Sequence, residues 1–177
     1  MKHSVLAVLA LSILPVLPAT LNAHASLEVK EAPQNTNYKA VMRIPHGCDG
    51  QATQSVSITI PEGVINTKPM PKAGWELTTE VGAYAKTYEY HGPRSEGVQK
   101  ITWTGNLEND HYDEFVFRAR ITDAFAPGEV IYFPTVQLCA DGSQEWVELP
   151  VKGKEGERLK KPAPSLTVTE GAHKHHH

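Results

Sequence analysis

The sequence is poor in cysteine and in net charge, and it has only one long apolar run. Each scarcity excludes something. Seventeen Lys and Arg stand against 20 Asp and Glu, a formal net charge of −3 with histidine neutral. That balance argues against a nucleic-acid binder, which needs a basic surface to displace counterions from phosphates. There is no Gly-rich phosphate loop, no Gly-x-Ser-x-Gly elbow and no His-Glu-x-x-His helix, so the common signatures of phosphate, acyl and zinc-protease chemistry are missing. No window shows a 3.6-residue apolar stripe, and 13 Gly with 13 Pro disfavour long helices. With 40% hydrophobic and 21% charged residues the chain nevertheless falls in the globular class, at a length suited to one domain.

The one apolar run lies at the start. Lys2 and His3 precede an apolar stretch from Val5 to Leu17, and small residues follow. The run is too short to span a bilayer, so residues 1–23 read as a secretory signal peptide. A cut after Ala23 makes His24 the first mature residue, whereas a cut after Ala25 fits Ala23-His24-Ala25 and discards it. The residues alone leave both open. Without Lys2 the mature chain carries 16 cations against 20 acids, a net charge of −4. No second run reaches membrane length. The expected product is periplasmic or otherwise extracytoplasmic, with no stable membrane insertion.

Beyond the leader, short alternating runs read as strands. They are Leu27–Lys30, Tyr38–Ile44, Ser55–Ile60, Trp75–Val81, Tyr84–Tyr90, Gln99–Thr104, Glu114–Ile121, Val130–Leu138 and Glu145–Val151. Gly, Pro, Asn and Asp separate them at intervals typical of a β-sandwich. The expectation is an all-β sandwich of about seven to nine strands over residues 24–151. Residues 152–177 are charged and Pro-containing and read as a disordered tail. Its His173, His175, His176 and His177 suit loose binding of copper, zinc or nickel, and a merely solvated end suits them equally.

Cys48 and Cys139 are the only cysteines. In an oxidising compartment an isolated pair reads as a disulfide. Closing a 91-residue separation stabilises by up to roughly 4–5 kcal/mol in the chain-entropy model.

The chemistry begins at His24. At a free N-terminus one histidine offers two nitrogens, its imidazole and an α-amine whose proton copper can displace at neutral pH. Cu(II) heads the divalent affinity order and favours tetragonal nitrogen and oxygen ligands. The context is specific. The stretch from His24-Ala25-Ser26-Leu27-Glu28-Val29 to Glu31, the run Arg43-Ile44-Pro45-His46-Gly47-Cys48, and Ile60-Pro61-Glu62-Gly63-Val64 are followed in order by Lys68-Pro69-Met70-Pro71-Lys72-Ala73-Gly74-Trp75, Ile101-Thr102-Trp103-Thr104-Gly105 and Tyr132-Phe133-Pro134-Thr135-Val136-Gln137-Leu138-Cys139. Over residues 24–150 the chain resembles the YcnI-like family of exported copper-binding domains.

That resemblance implies a cupredoxin-like or immunoglobulin-like sandwich holding one copper through a single-histidine brace, and it favours cleavage before His24. It further implies a supporting carboxylate and a nearby tryptophan. Glu31 matches the carboxylate by its distance from His24, and its alternative is a loop acid before Pro33. Trp146 or Trp103 matches the tryptophan, with aromatic core as the simpler role for Trp103. His46, beside Cys48, and the group Asp110, His111, Asp113 and Glu114 read more simply as a turn and a solvated strand entrance. The leading function is a copper carrier or buffer, not an enzyme, exchanging Cu(II) with a copper-transport membrane protein or a periplasmic copper chaperone. Two alternatives stand beside it: a copper-dependent oxidative enzyme, which needs a second imidazole, and a metal-free structural or adhesive sandwich.

Overall fold

One side chain in and the next one out is the pattern that commits a strand to the wall of a core, and it recurs throughout the computed structural model, which describes residues 24–154 and 157–171. Twelve strands and no helix occur among the described residues: β1 (Ser26–Leu27), β2 (Glu31–Pro33), β3 (Thr36–Ile44), β4 (Thr53–Thr59), β5 (Val64–Pro69), β6 (Glu76–Glu89), β7 (Pro93–Leu107), β8 (Asp113–Ile121), β9 (Val130–Tyr132), β10 (Thr135–Cys139), β11 (Gly142–Trp146) and β12 (Ser165–Thr169). In β3, Tyr38, Ala40, Met42 and Ile44 point inward; in β8, Phe115, Phe117, Ala119 and Ile121 do so.

The strands form a four-stranded sheet in the order β1-β3-β8-β5, a five-stranded sheet β11-β10-β4-β7-β6, and a small third sheet β2-β12-β9. Met42, Phe115 and Phe117 of the first sheet and Val56, Ile58, Ile101 and Trp103 of the second belong to one continuous core. Trp103 meets Phe115 at 5.5 Å between ring centres, and Phe117 meets Phe133 at 5.8 Å. Each such fully buried side chain contributes about 1.5–3 kcal/mol. The architecture is an all-β sandwich, as the alternation predicts.

Several elements differ from the sequence reading, each for a local reason. The two runs Trp75–Val81 and Tyr84–Tyr90 are one long strand, β6, bent by register shifts after Glu80 and after Ala83. The run Val130–Leu138 is two strands, because Phe133 and Pro134 lie between β9 and β10. Strand β5 follows the turn at Gly63 and is short and Pro-terminated, with Asn66 in the left-handed region at φ 50°.

The largest correction concerns residues 152–177, which are not wholly a tail. Ser165–Thr169 is a strand, paired parallel with β2 and antiparallel with β9. Its Leu166 and Val168 are 0% and 1% exposed, so the core requires them. The domain therefore runs past residue 151. The leader (residues 1–23) and His173, His175, His176 and His177 lie outside the described residues.

The predicted disulfide is present: Cys48 and Cys139 are bonded, with Cα atoms 6.1 Å apart. It ties the loop after β3 to the end of β10.

Candidate metal centre

Where the described fold begins, Ala25 and Leu27 are 4% and 2% exposed and sit in the core. Leu27 is held by β1, which pairs with β3 through Ser26 opposite Arg43 and Leu27 opposite Met42. With its two successors pinned in this way, His24 has a fixed position at the rim of the sandwich. Its imidazole meets the indole of Trp146 edge-on, at 5.2 Å between ring centres and 68° between planes.

Trp146 ends β11 and is 5% exposed. Its Nε1 faces the Oε1 of Gln137 at 3.5 Å. Gln137 is almost wholly buried, and its Nε2 donates to the carbonyl of His46 at 2.7 Å and to Thr53 Oγ1 at 2.6 Å. A buried amide satisfied at both ends holds one rotamer, because any other leaves a polar atom unpaired. Gln137 thus links the aromatic wall of His24 to the segment carrying the disulfide.

His24 borders two hollows. One, of about 230 Å³, lies against Lys30 and the stretch Pro162-Ala163-Pro164-Ser165. The other, of about 360 Å³, lies against Arg158, Leu159 and Lys160. The segment read from sequence as a tail therefore lines both hollows beside the histidine. It is held there by Glu148, whose carboxylate accepts from the backbone N–H groups of Lys160 and Lys161. Sequence reasoning missed these walls; the alternation Ser165-Leu166-Thr167-Val168-Thr169 was the available signal.

The other predicted residues fall in different places. Glu31 is exposed on β2, opposite Thr167 of β12, and borders neither hollow. Trp103 is fully buried in the core, its Nε1 donating to the carbonyl of Met70 at 3.1 Å, so it has the packing role and not the one beside His24. His46 Nδ1 lies 2.6 Å from the carbonyl oxygen of Gly47, in the turn before the disulfide. In the acidic group, Asp113 pairs with Lys72 at 2.7 Å and Glu114 with Arg43 at 3.5 Å, the pattern of a solvated strand entrance.

Among the described residues no group of three His, Cys, Asp or Glu comes together, and no second imidazole borders either hollow. What the geometry offers a metal is one anchored histidine against an indole. A free amine at the same residue would double the nitrogen donors and suit copper by ligand chemistry. The charged side chains around the hollows, Lys30, Arg158 and Lys160, are cations, so the neighbouring side chains supply no anionic ligand.

A family model described as a domain of unknown function (DUF1775) matches residues 24–168, from His24 into β12. No curated protein matches the chain. A solved structure similar to it is that of an uncharacterized protein from Nocardia farcinica with an immunoglobulin-like fold: 21% identity, TM-score 0.62, covering 84% of this chain and 99% of that one. At that identity the likeness speaks to the fold.

Proposed function

The chain belongs to the DUF1775 domain family, and on that premise we propose that it is an exported copper-binding protein, a carrier or buffer that holds Cu(II) through the amine and imidazole of a mature N-terminal His24. The YcnI-like family, which the sequence resembles, is this domain family. The observation that carries the reading is the fixed seat of His24: a neighbour buried on its C-terminal side, an indole 5.2 Å away, and two hollows that it borders. An unplaced chain end would gain nothing from such surroundings.

Copper is cargo in this reading, bound and released by ligand exchange, with no substrate bond made or broken. His24 supplies both nitrogens, and Trp146 packs edge-on against the imidazole; a cation against the indole face gains about 0.5–2 kcal/mol. The resemblance implies Glu31 as an oxygen donor, but Glu31 borders neither hollow, so the reading rests on His24 alone; a copper-transport membrane protein or periplasmic chaperone is the partner.

The test is a copper titration of the protein beginning at His24 and lacking His173 to His177, followed by electron paramagnetic resonance. One tight equivalent with nitrogen hyperfine structure is expected, and it disappears in His24→Ala while the fold persists. Tight stoichiometric binding by that variant overturns the proposal.

A further inference from the structure

The outer face of the four-stranded sheet carries an uncompensated row of charge. Strand register puts Lys39 of β3 opposite Arg118 of β8, and Arg118 opposite Lys68 of β5. Neighbouring strands lie about 4.8 Å apart, so three cations stand abreast within about 10 Å. All three are exposed. Like charges directly opposite each other weaken a sheet, and other cations on this face have partners. Arg43 pairs with Glu28 and with Glu114, each at 3.5 Å, and Arg120 lies over the Tyr90 ring at 4.5 Å. Lys39, Arg118 and Lys68 have no ion pair, side-chain hydrogen bond or ring contact with any described residue. In a chain of net charge −3, such a row is not a by-product of general basicity.

Beside the row runs a trough of about 420 Å³, with Pro69, Met70, Pro71 and Val116 as its apolar lining and the three cations at its rim. Met70 is 53% exposed although a thioether gains nothing from water. The shape selects among occupants. Pro69 and Pro71 have no N–H to donate, so an incoming peptide strand finds a poor edge on which to add. The trough is open to solvent, and at about 420 Å³ it has room for a single alkyl chain laid along it. An oxyanion suits the head of the trough, since Arg and Lys donate charge-assisted hydrogen bonds to phosphate and carboxylate oxygens.

We propose that this trough binds a single anionic lipid, its phosphate or carboxylate head on Lys39, Arg118 and Lys68 and its acyl chain along Met70 and Val116. None of these residues borders the hollows around His24, so lipid binding stands or falls apart from copper.

The probe is dodecyl phosphate below its micellar concentration, titrated into the chain beginning at His24 and followed by calorimetry and by amide NMR shifts on β3, β5 and β8. Saturable one-to-one binding is expected. Inorganic phosphate and dodecyl maltoside should each bind at least tenfold more weakly, as should dodecyl phosphate to the Lys39→Gln/Lys68→Gln variant. That variant relieves like-charge contacts, so it should melt no lower than the parent. If it fails to fold, Met70→Asp at the exposed lining takes its place, with the same loss expected. Unchanged affinity in the variants overturns the proposal, and so does equal binding of dodecyl maltoside or of inorganic phosphate. Binding confined to phosphatidylglycerol vesicles, with none to the monomeric amphiphile, also overturns it and makes the face a membrane-contacting surface.

Discussion

The side-chain oxygen of Gln137 lies 3.5 Å from the indole nitrogen of Trp146, while the same amide's nitrogen donates to His46 and Thr53. One buried glutamine therefore decides where the tryptophan stands, and the tryptophan decides what His24 packs against. Replacing Gln137 by Leu strands the His46 carbonyl and the Thr53 hydroxyl away from water, at a cost of about 1–3 kcal/mol for each group left unpaired. Chemical denaturation should show that loss, and the Trp146 fluorescence should shift with it. Trp146→Ala should cost more, about 3–5 kcal/mol, because it empties a core position.

Truncation tests the position of the domain's end. A chain stopped after Lys161 loses Ala163, Leu166 and Val168, all buried. At about 1.5–3 kcal/mol for each large apolar side chain, it should express as insoluble protein or melt far below the parent. A chain stopped after Ala172 should melt with the parent and shed only weak, supernumerary copper equivalents. Loss of the first equivalent in that shorter chain would move the metal to the terminal histidines.

Reduction of the Cys48–Cys139 bond should lower unfolding free energy by roughly 4 kcal/mol, the closure entropy of a loop this long. The midpoint of a denaturant titration, with and without reductant, measures it. Under oxidising conditions a maleimide should label neither cysteine.

Alkaline pH should unfold the protein through its tyrosines. Burial, with Glu28 nearby, pushes the Tyr38 hydroxyl above the ordinary phenol range, where it donates to the carbonyl of Val29. Burial and the hydrogen bond to Glu62 push Tyr88 the same way. A folded-state pKa raised above the unfolded one gives stability that is fully present below about pH 10 and is lost as pH climbs beyond it. Tyr38→Phe should flatten that alkaline decline and cost about 1 kcal/mol at neutral pH for the missing hydrogen bond. Unfolding free energies measured from pH 7 upward check both.

Much of the sandwich was legible because its walls obey a two-residue period. Tyr38–Ile44 and Glu114–Ile121 name their inward residues almost without error, since one face meets the core and the other meets water. The disulfide was legible from the count of two cysteines behind an expected signal peptide. The short strands were harder to read. In β12, Ser165–Thr169 follows a charged, Pro-containing stretch, and two buried residues in five give local composition little weight. Its pairing with β2 bridges nearly the whole sequence, which no window can register. The same non-local contact hid the walls of the His24 hollows. Both Trp146 and Trp103 were candidates beside His24, with core packing the simpler role for Trp103; the strand on which each rides separates the one beside His24 from the one that donates to Met70.

The parallel seam between β2 and β12 joins the earliest part of the domain to the latest. His24 lies ahead of that seam in the chain, while its enclosing stretch, Arg158 to Ser165, leads into the other side of it. The nest around that histidine consequently exists only when both ends of the domain are present and paired, so a product cut short before Arg158 lacks it.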